Sequence, residues 1–144
     1  MGDLADTDVV ALARRFLLAR ADVVEALGGE GRVASLNEPP YPRVRLLDPP
    51  GDDRDLTHLI APLLQVEILG DPGLTGQKPA LRKAMYRVLQ ALRQLPEQQA
   101  LGEWERIDGE PVVTAVTSTG GGGYVPEPTG QPKYIATVRL YVHP

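Results

Sequence analysis

Hydrophobic residues recur at spacings of three and four over positions 9–27, which predicts an amphipathic helix. Acidic and hydroxyl side chains at positions 6–8 can accept the free backbone N–H groups of its first turn. Gly28 can adopt the left-handed conformation that ends a helix. We therefore predict one helix in this stretch, with a break near residues 21–22.

A second helical pattern covers residues 78–95, where the apolar residues form a continuous stripe. Pro79 suits the first turn of a helix, and Pro96 is expected to end it because proline cannot continue the backbone hydrogen bonding. The side chains expected to face away from the core are Lys83, Arg87, Gln90 and Gln94.

Alternation of apolar and polar residues, or enrichment in β-branched ones, predicts six strands. They cover residues 32–36, 43–47, 59–69, 102–107, 111–119 and 134–142. The run at 59–69 is expected to be the central strand. Pro62 interrupts this run and is expected at a sheet edge or a bulge, because it has no N–H group to donate.

Three connecting segments are rich in turn-forming residues. Residues 48–55 (DPPGDDRD) are expected to be an exposed loop, and residues 70–76 (GDPGLTG) a turn. Residues 119–133 contain four consecutive glycines and are long for a hairpin connection, which usually takes about 2–5 residues. We predict a flexible hairpin loop there. The alternative is a loop that orders on a partner, since Tyr124 and Val125 give it apolar surface to bury.

The predicted elements follow the order helix, three strands, helix, three strands, which argues for an α+β fold instead of a doubly wound sheet. The simplest packing is a mixed, mostly antiparallel sheet with two helices packed on one face. The chain is expected to form a single domain over residues 1–144, which is long enough to fold without a metal or a disulfide.

Composition narrows the classes of function. The absence of cysteine excludes disulfides, thiolate catalysis and zinc–thiolate sites. No apolar run approaches the ~18–20 residues needed to cross a bilayer, and the acidic N-terminus differs from a signal peptide, so a cytoplasmic product is expected. The formal charge is −4 and the 15 Lys and Arg residues are spread along the chain, which disfavours specific nucleic-acid binding.

The most basic stretch of the chain is the helix predicted at residues 78–95. It contains Lys78, Arg82, Lys83, Arg87 and Arg93. We interpret this stretch as the solvated outer face of a helix that packs on the sheet. The alternative is the recognition helix of a regulatory DNA-binding module.

Candidate catalytic groups are scattered and fit no known arrangement. His58 and His143 lack the spacing of a metal-binding pair, and neither Ser35 nor Ser118 lies in a G-x-S-x-G motif. The carboxylates of residues 48–55 do not follow a calcium-loop pattern, and no Lys-Ser or Lys-Thr pair follows the glycine run. We therefore expect no enzymatic activity, cofactor or metal. A small enzyme or ligand-binding domain with a scattered site is the alternative.

Four segments of the chain carry a resemblance to a known family. They are an N-terminal helix (DVVALARRFLLARADVVEALGG), a proline-rich approach to a strand (EPPYPRVRLLDPPG), a strand–turn–helix unit (APLLQVEILGDPGLTGQKPALRKAMYRVLQAL) and a final hairpin (EPVVTAVTSTGGGG to QPKYIATVRLYVHP). In order and composition the chain resembles the tail-terminator proteins of long-tailed bacteriophages, also called tail-completion or head-to-tail joining proteins. The similarity covers about residues 8–142.

The resemblance implies a structural protein without enzymatic activity or cofactor. Such proteins form a ring, usually a hexamer, which caps the tail tube, ends tube growth and joins the tail to the head. The implied partners are further copies of the chain, the tail tube protein and a head-completion or connector protein. The implied location is the virion, with the host cytoplasm during assembly. A head-completion protein or a tail-tube protein is the alternative within the same class.

The resemblance also implies which segments touch neighbours: residues 48–55, 70–76 and 119–133. The candidate contact residues in them are Asp52, Asp53, Arg54, Gly73, Leu74, Gly121, Gly122, Tyr124 and Val125. Edge strands are further candidates, since their unpaired N–H and C=O groups can pair with another chain. We expect residues 43–47 and 134–142 to be such strands, and the 119–133 hairpin to reach a neighbouring ring.

Overall fold

The computed structural model describes residues 8–49, 53–55, 59–107, 110–118 and 122–143, with the backbone alone at 53–55 and 59. The helices are α1 (Val9–Leu18), α2 (Ala21–Leu27) and α3 (Lys78–Ala100). The strands are β1 (Val33–Ala34), β2 (Arg43–Leu47), β3 (Asp53–Asp55), β4 (Leu59–Ala61), β5 (Leu63–Leu69), β6 (Val112–Ser118), β7 (Gly123–Tyr124) and β8 (Lys133–His143). They form one mixed, mostly antiparallel sheet with helices, which confirms the α+β class.

The helix predicted at residues 9–27 is divided into α1 and α2, and the break lies at Ala19–Arg20, slightly before the expected position. Asp8 caps α1, because its side chain accepts a hydrogen bond from Ala11 N. Arg20 has an extended backbone, and its guanidinium donates to Asp22 at 2.9 and 2.8 Å. This ion pair holds the non-helical residue against the first turn of α2. Gly28 ends α2 in the left-handed conformation, as predicted.

Helix α3 continues through Pro96, so the prediction that this proline ends the helix is wrong. Tertiary contacts hold the last turn in place despite the missing N–H group. Leu95 is fully buried, and the Gln99 side chain accepts a hydrogen bond from Val113 N of β6 at 2.8 Å. Burial and this side-chain bond therefore stabilise a turn that proline alone disfavours.

The strand predicted at residues 102–107 is not formed. This segment is irregular, and its Trp104 packs edge-on against Phe16 of α1, with ring centroids 5.2 Å apart. Arg15 lies over the same indole ring at 4.1 Å. The apolar residue that suggested a strand instead anchors a connection across α1.

Strand β8 is the centre of the sheet. One side of it pairs with β5 and β4, and the other side pairs with β6 and β7. The expectation that residues 134–142 form an edge strand is therefore wrong. The alternation predicted for these residues is confirmed, because every second residue is buried: Tyr134, Ala136, Val138, Leu140 and Val142.

Strands β4 and β5 form one interrupted ladder against β8. Ile60 lies opposite Val142 and Leu63 opposite Arg139, so the register is unchanged across Pro62. Pro62 O accepts a hydrogen bond from Leu140 N at 3.0 Å. Pro62 thus keeps its place opposite β8 at the loss of one ladder hydrogen bond. Its other side pairs with no described strand, because the β2–β5 pairing ends at Gln65 and the β3–β4 pairing ends at Ala61, which fits the predicted edge or bulge position.

The two edges of the sheet are formed by different sets of strands. The β6 edge consists of β6 and β7, and the β1 edge consists of β1, β3 and the part of β2 that β1 leaves uncovered. Strand β3 lies within residues 48–55, which were predicted to be a loop, and pairs with β4. Among the described residues no further strand pairs with the outer side of either edge.

One hydrophobic core joins the three helices to a single face of the sheet. It contains Leu12, Phe16 and Leu17 of α1, Val23 and Leu27 of α2, and Leu81, Met85, Val88 and Leu92 of α3, packed against Val44, Leu46, Leu64, Val66 and the buried side of β8. Three helices therefore replace the predicted two. None of the described helices is long and apolar enough to span a membrane.

We predict that Gly70→Ala lowers the free energy of unfolding by about 1–3 kcal/mol, because the new methyl group overpacks a full site. A Cβ at Gly70 meets Gln77 Oε1 at 2.9 Å, Leu81 Cδ1 at 3.0 Å and Pro132 Cβ at 3.2 Å. Gly73→Ala is the control, since its Cβ meets only Asp71 Oδ1 at 3.4 Å. Urea unfolding of both variants tests this, and equal stability would contradict it.

We predict that Asp22→Asn destabilises the protein at pH 7 and that the difference from the parent chain shrinks as the pH is lowered. The hydrogen bond from Arg20 lowers the pKa of Asp22. The folded state therefore gains stability above the ordinary carboxyl pKa of about 3.9, and loses it as the pH falls through the lowered value. Thermal unfolding at pH 7 and at pH 3 measures this, and a pH-independent difference would contradict it.

Candidate functional site

Four charged side chains form a cluster on the sheet face opposite the helices. Arg45 of β2 and Glu67 of β5 are cross-strand neighbours, and Arg45 Nε donates to Glu67 Oε1 at 2.5 Å. Arg45 Nη2 donates to Glu127 Oε1 at 2.7 Å. Lys133 Nζ lies 3.4 Å from Glu127 Oε1 and 3.6 Å from Glu67 Oε2. Two cations thus face two carboxylates, and the cluster is balanced in charge.

This charged cluster is suited to holding segments together and not to transferring protons. Glu67 is 2% exposed and also accepts a hydrogen bond from Gln65 Nε2 at 2.8 Å. Burial by itself lowers the pKa of Arg45, but its hydrogen bonds and charge interactions with Glu67 and Glu127 outweigh burial and raise that pKa. Arg45 therefore stays charged at every physiological pH, and it connects β2, β5 and the hairpin before β8.

The hairpin before β8 is short and folds back on the sheet. Gly130 N donates to Glu127 O at 2.8 Å, and Glu127 N donates to Gln131 O at 3.0 Å, which closes a tight turn. Gly130 has a φ of 91°, a conformation that suits glycine. Upstream of this turn, β7 pairs with Ile135 and Tyr134 of β8. Residues 122–133 therefore do not project away from the body as expected, although their flexibility stays a prediction.

Gly122 and Gly123, the described part of the glycine run, lie beside β8 and not at the hairpin tip. Ser118 pairs with Val138 and Gly123 with Ile135, so the β6 edge has four residues where β8 has two. Gly121 lies outside the described residues. Gly122 is close to the core, where an added Cβ would lie 3.4 Å from Met85 Cγ.

Gln131 is a buried polar residue that the sequence analysis did not single out. Its Nε2 donates to Gly70 O at 2.8 Å, and its Oε1 accepts from Asn37 Nδ2 at 2.6 Å. Gly70 N in turn donates to Pro132 O at 2.9 Å. The turn before α3, the segment after β1 and the hairpin are thereby joined at one end of the sheet. Only the three-dimensional fold brings these residues together, so no local pattern could have indicated Gln131.

Tyr124 of β7 lies on the surface, beside the start of α3. Its ring meets that of Tyr134 edge-on, with centroids 5.5 Å apart, and Lys78 Nζ lies 4.6 Å from the Tyr124 centroid. Tyr124 remains 36% exposed, and the neighbouring Val125 is 52% exposed. These two candidate contact residues thus lie on a fixed surface beside a helix.

The other candidate contact residues divide between the two ends of the sheet. Gly73 and Leu74 lie in the turn before α3, and Leu74 is 59% exposed. Asp53 and Arg54 lie on β3, opposite Ala61 and Ile60, near the other end of β8. Asp52 lies outside the described residues. The structure therefore brings the candidates at 73–74 to the same end as those at 122–125, and separates both groups from β3.

Among the described residues, those considered for catalysis do not converge. His143 lies at the end of β8, Ser35 follows β1, and His58 lies outside the described residues. Ser118 Oγ accepts a hydrogen bond from Arg93 Nη2 at 2.6 Å and has no histidine beside it among its described contacts. No group of three or more His, Cys, Asp and Glu side chains suited to a metal occurs within the described ranges.

Two of the open grooves beside α3 are lined by its cationic side chains. One lies between α2 and α3, with Asp22 and Glu25 on one wall and Lys83 and Arg87 on the other. The second groove lies between α3 and the β6 edge. Its lining includes Tyr86, Leu89, Gln90, Arg93, Gln94, Ser118 and Gly122. Neither groove gathers an acid, a base and a nucleophile, and both are surfaces that a macromolecule can cover.

Comparison with known proteins does not identify a family: no protein-family model matches the chain, and no curated protein matches it.

We predict that Glu67→Ala lowers the free energy of unfolding by about 3 kcal/mol or more, because Arg45 and Lys133 lose a buried partner. Glu127→Ala should cost about 1 kcal/mol, since this carboxylate is 20% exposed and water can replace it. Glu38→Ala, at an exposed position, should stay within about 0.5 kcal/mol of the parent chain. Chemical unfolding of the three variants measures this order, and equal losses at Glu67 and Glu127 would contradict the central role of Glu67.

Proposed function

We propose that the protein is a structural assembly subunit that forms a closed ring on the end of a bacteriophage tail tube, ends tube growth and joins the tail to the head. The observation that carries this proposal is an open sheet with two different edges, neither of which is paired on its outer side by a strand of the described residues. A cyclic ring of more than two copies needs two different surfaces on each subunit, and the β6 edge and the β1 edge meet that requirement.

The directions of the edge strands favour the same kind of contact. Strands β6 and β7 run opposite to β8, β8 runs opposite to β5, and β5 runs opposite to β2. Strand β1 is parallel to β2. The two edges therefore run in opposite directions. A rotation about an axis parallel to the strands does not change their direction. In copies related by such a rotation, the β6 edge of one copy therefore meets the β1 edge of the next with antiparallel strands.

The β6 edge is partly protected and partly open. Gln99 bonds to both Val113 N and Pro111 O, which occupies the first part of the edge. The following residues of β6, from Ala115 to Ser118, have no strand on their outer side among the described residues. An edge of this kind can accept one strand without serving as a template for uncontrolled aggregation.

The bacteriophage context rests on the resemblance of the element order to tail-terminator proteins. The strand–turn–helix unit of that resemblance corresponds to β5, the turn closed by Gln77, and α3. In this role the chain needs no cofactor, and its buried charged cluster serves to position the hairpin. A head-completion or tail-tube protein is the second candidate, since an open sheet with two different edges suits any subunit that assembles head to tail.

We predict that the purified protein forms one closed ring of about six copies, alone or on the ends of added tail tubes. Light scattering after size exclusion measures the mass, and negative-stain microscopy measures the length of tail tubes assembled with and without the protein. Shorter, capped tubes are expected. Long tubes formed by the protein alone would identify a tube protein, and a monomer that leaves tube length unchanged would contradict the proposal.

A further inference from the structure

One side of α3 faces the β6 edge and carries a basic stripe, defined here as Lys78, Arg82, Tyr86 and Arg93. Lys78 contacts the Tyr124 ring of β7, while Tyr86 and Arg93 line the groove beside Ser118. Arg82 lies one helical turn from both Lys78 and Tyr86, which places it on the same side. The stripe runs from Lys78 to Arg93, a distance of about 22 Å along the helix axis.

The basic stripe is not neutralised within the subunit. Helix α3 contains five of the 15 cationic side chains of the chain and one of the 19 carboxylates. Lys83 and Arg87, on its other side, face Asp22 and Glu25 across a groove. On the stripe itself, no cation forms an ion pair with a carboxylate of the described chain. Tyr86, in the middle of the stripe, is 66% exposed.

The β1 edge has the opposite character. Glu30, Glu38 and Asp48 flank β1 and β2, are exposed, and form no side-chain ion pair among the described residues. Leu36 lies between them and is 59% exposed. Three arginines near this edge keep their charge but donate to backbone carbonyls. Arg14 donates to Val33 O, Arg32 to Leu27 O and Tyr41 O, and the buried Arg43 to Glu38 O and Pro39 O.

We infer that the basic stripe of one copy docks on the acidic β1 edge of the next copy and thereby sets the order of subunits around the ring. The inference rests on the ring proposed above and names its subunit interface. Opposite charges on the two edges steer a second copy into head-to-tail contact and disfavour contact between like edges. Tyr86 and Leu36 supply apolar surface at the centre, where tyrosine and arginine are typical of interfaces.

A second copy fits the basic stripe better than nucleic acid does. The stripe contains three cations around an exposed tyrosine, whereas a duplex of the same length presents roughly a dozen phosphates. The complementary surface, with three carboxylates and an exposed leucine, is present on the same chain. It also lies on the edge whose strands run in the required direction.

The first test reverses the charge of the basic stripe. We expect Arg82→Glu/Arg93→Glu to weaken self-association at least roughly tenfold. Lys83→Glu/Arg87→Glu changes the net charge equally on the other side of the same helix and should leave self-association unchanged. Sedimentation velocity over a concentration series measures association, and circular dichroism checks folding. Equal weakening by both pairs, or by neither, would overturn the inference.

The second test reverses the charge of the β1 edge. We expect Glu30→Lys/Glu38→Lys to weaken self-association at least roughly tenfold, while Glu103→Lys/Glu105→Lys, at exposed carboxylates beyond the end of α3, should not. A one-to-one mixture of the stripe variant and the β1-edge variant should associate again. In the mixture each acidic stripe meets a lysine-bearing edge, and each basic stripe meets an acidic edge. A mixture that does not associate would overturn the inference.

Tail tubes separate the failure of this inference from the failure of the proposed function. If the stripe variant still forms complete rings on tube ends, the interface is wrong and the capping function stands. If the unsubstituted chain neither associates nor binds tube ends, both are wrong. Unchanged self-association, together with loss of binding to a DNA duplex, would overturn the inference and assign the stripe to nucleic acid.

Discussion

Strand β8 is hydrogen-bonded along both sides, to β5 and β4 on one and to β6 and β7 on the other. Its alternate side chains enter the core beneath the helices, so a slip of one residue would turn that whole set to the opposite face. The register of β8 therefore determines which of its residues lie opposite those of β4, β5, β6 and β7. It also fixes the hairpin that precedes β8, whose Glu127 and Gln131 bind Arg45 and Gly70.

A central β8 leaves the free edges at the outside of the sheet, where they differ in strand direction and in charge. The charged cluster on the sheet face opposite the helices is balanced within the subunit, since Arg45 and Lys133 face Glu67 and Glu127. The charges of the proposed contact lie instead on the edge side of α3 and around β1. A subunit with this distribution is suited to repeated head-to-tail contact, and this property links the fold to a ring.

Patterns of local periodicity predicted the parts of the fold in which burial alone decides the structure. The alternation of β8 and the apolar stripe of α3 are examples. The errors occur where a distant contact overrides a local preference. Gln99 holds the turn after Pro96 on β6, and Trp104 packs on Phe16 instead of entering the sheet. The β1 edge and the basic stripe are far apart in sequence. Only the topology shows that the stripe lies beside the β6 edge, on the opposite side of the sheet from β1.

The central claim is that the β6 edge of one copy meets the β1 edge of the next in a ring that caps a tail tube. Cryo-electron microscopy of capped tube ends, at a resolution that separates strands, tests it most directly. The account predicts a single ring in which α3 of each copy lies against β1 of its neighbour. Copies that touch only the tube, or that meet through like edges, would contradict it.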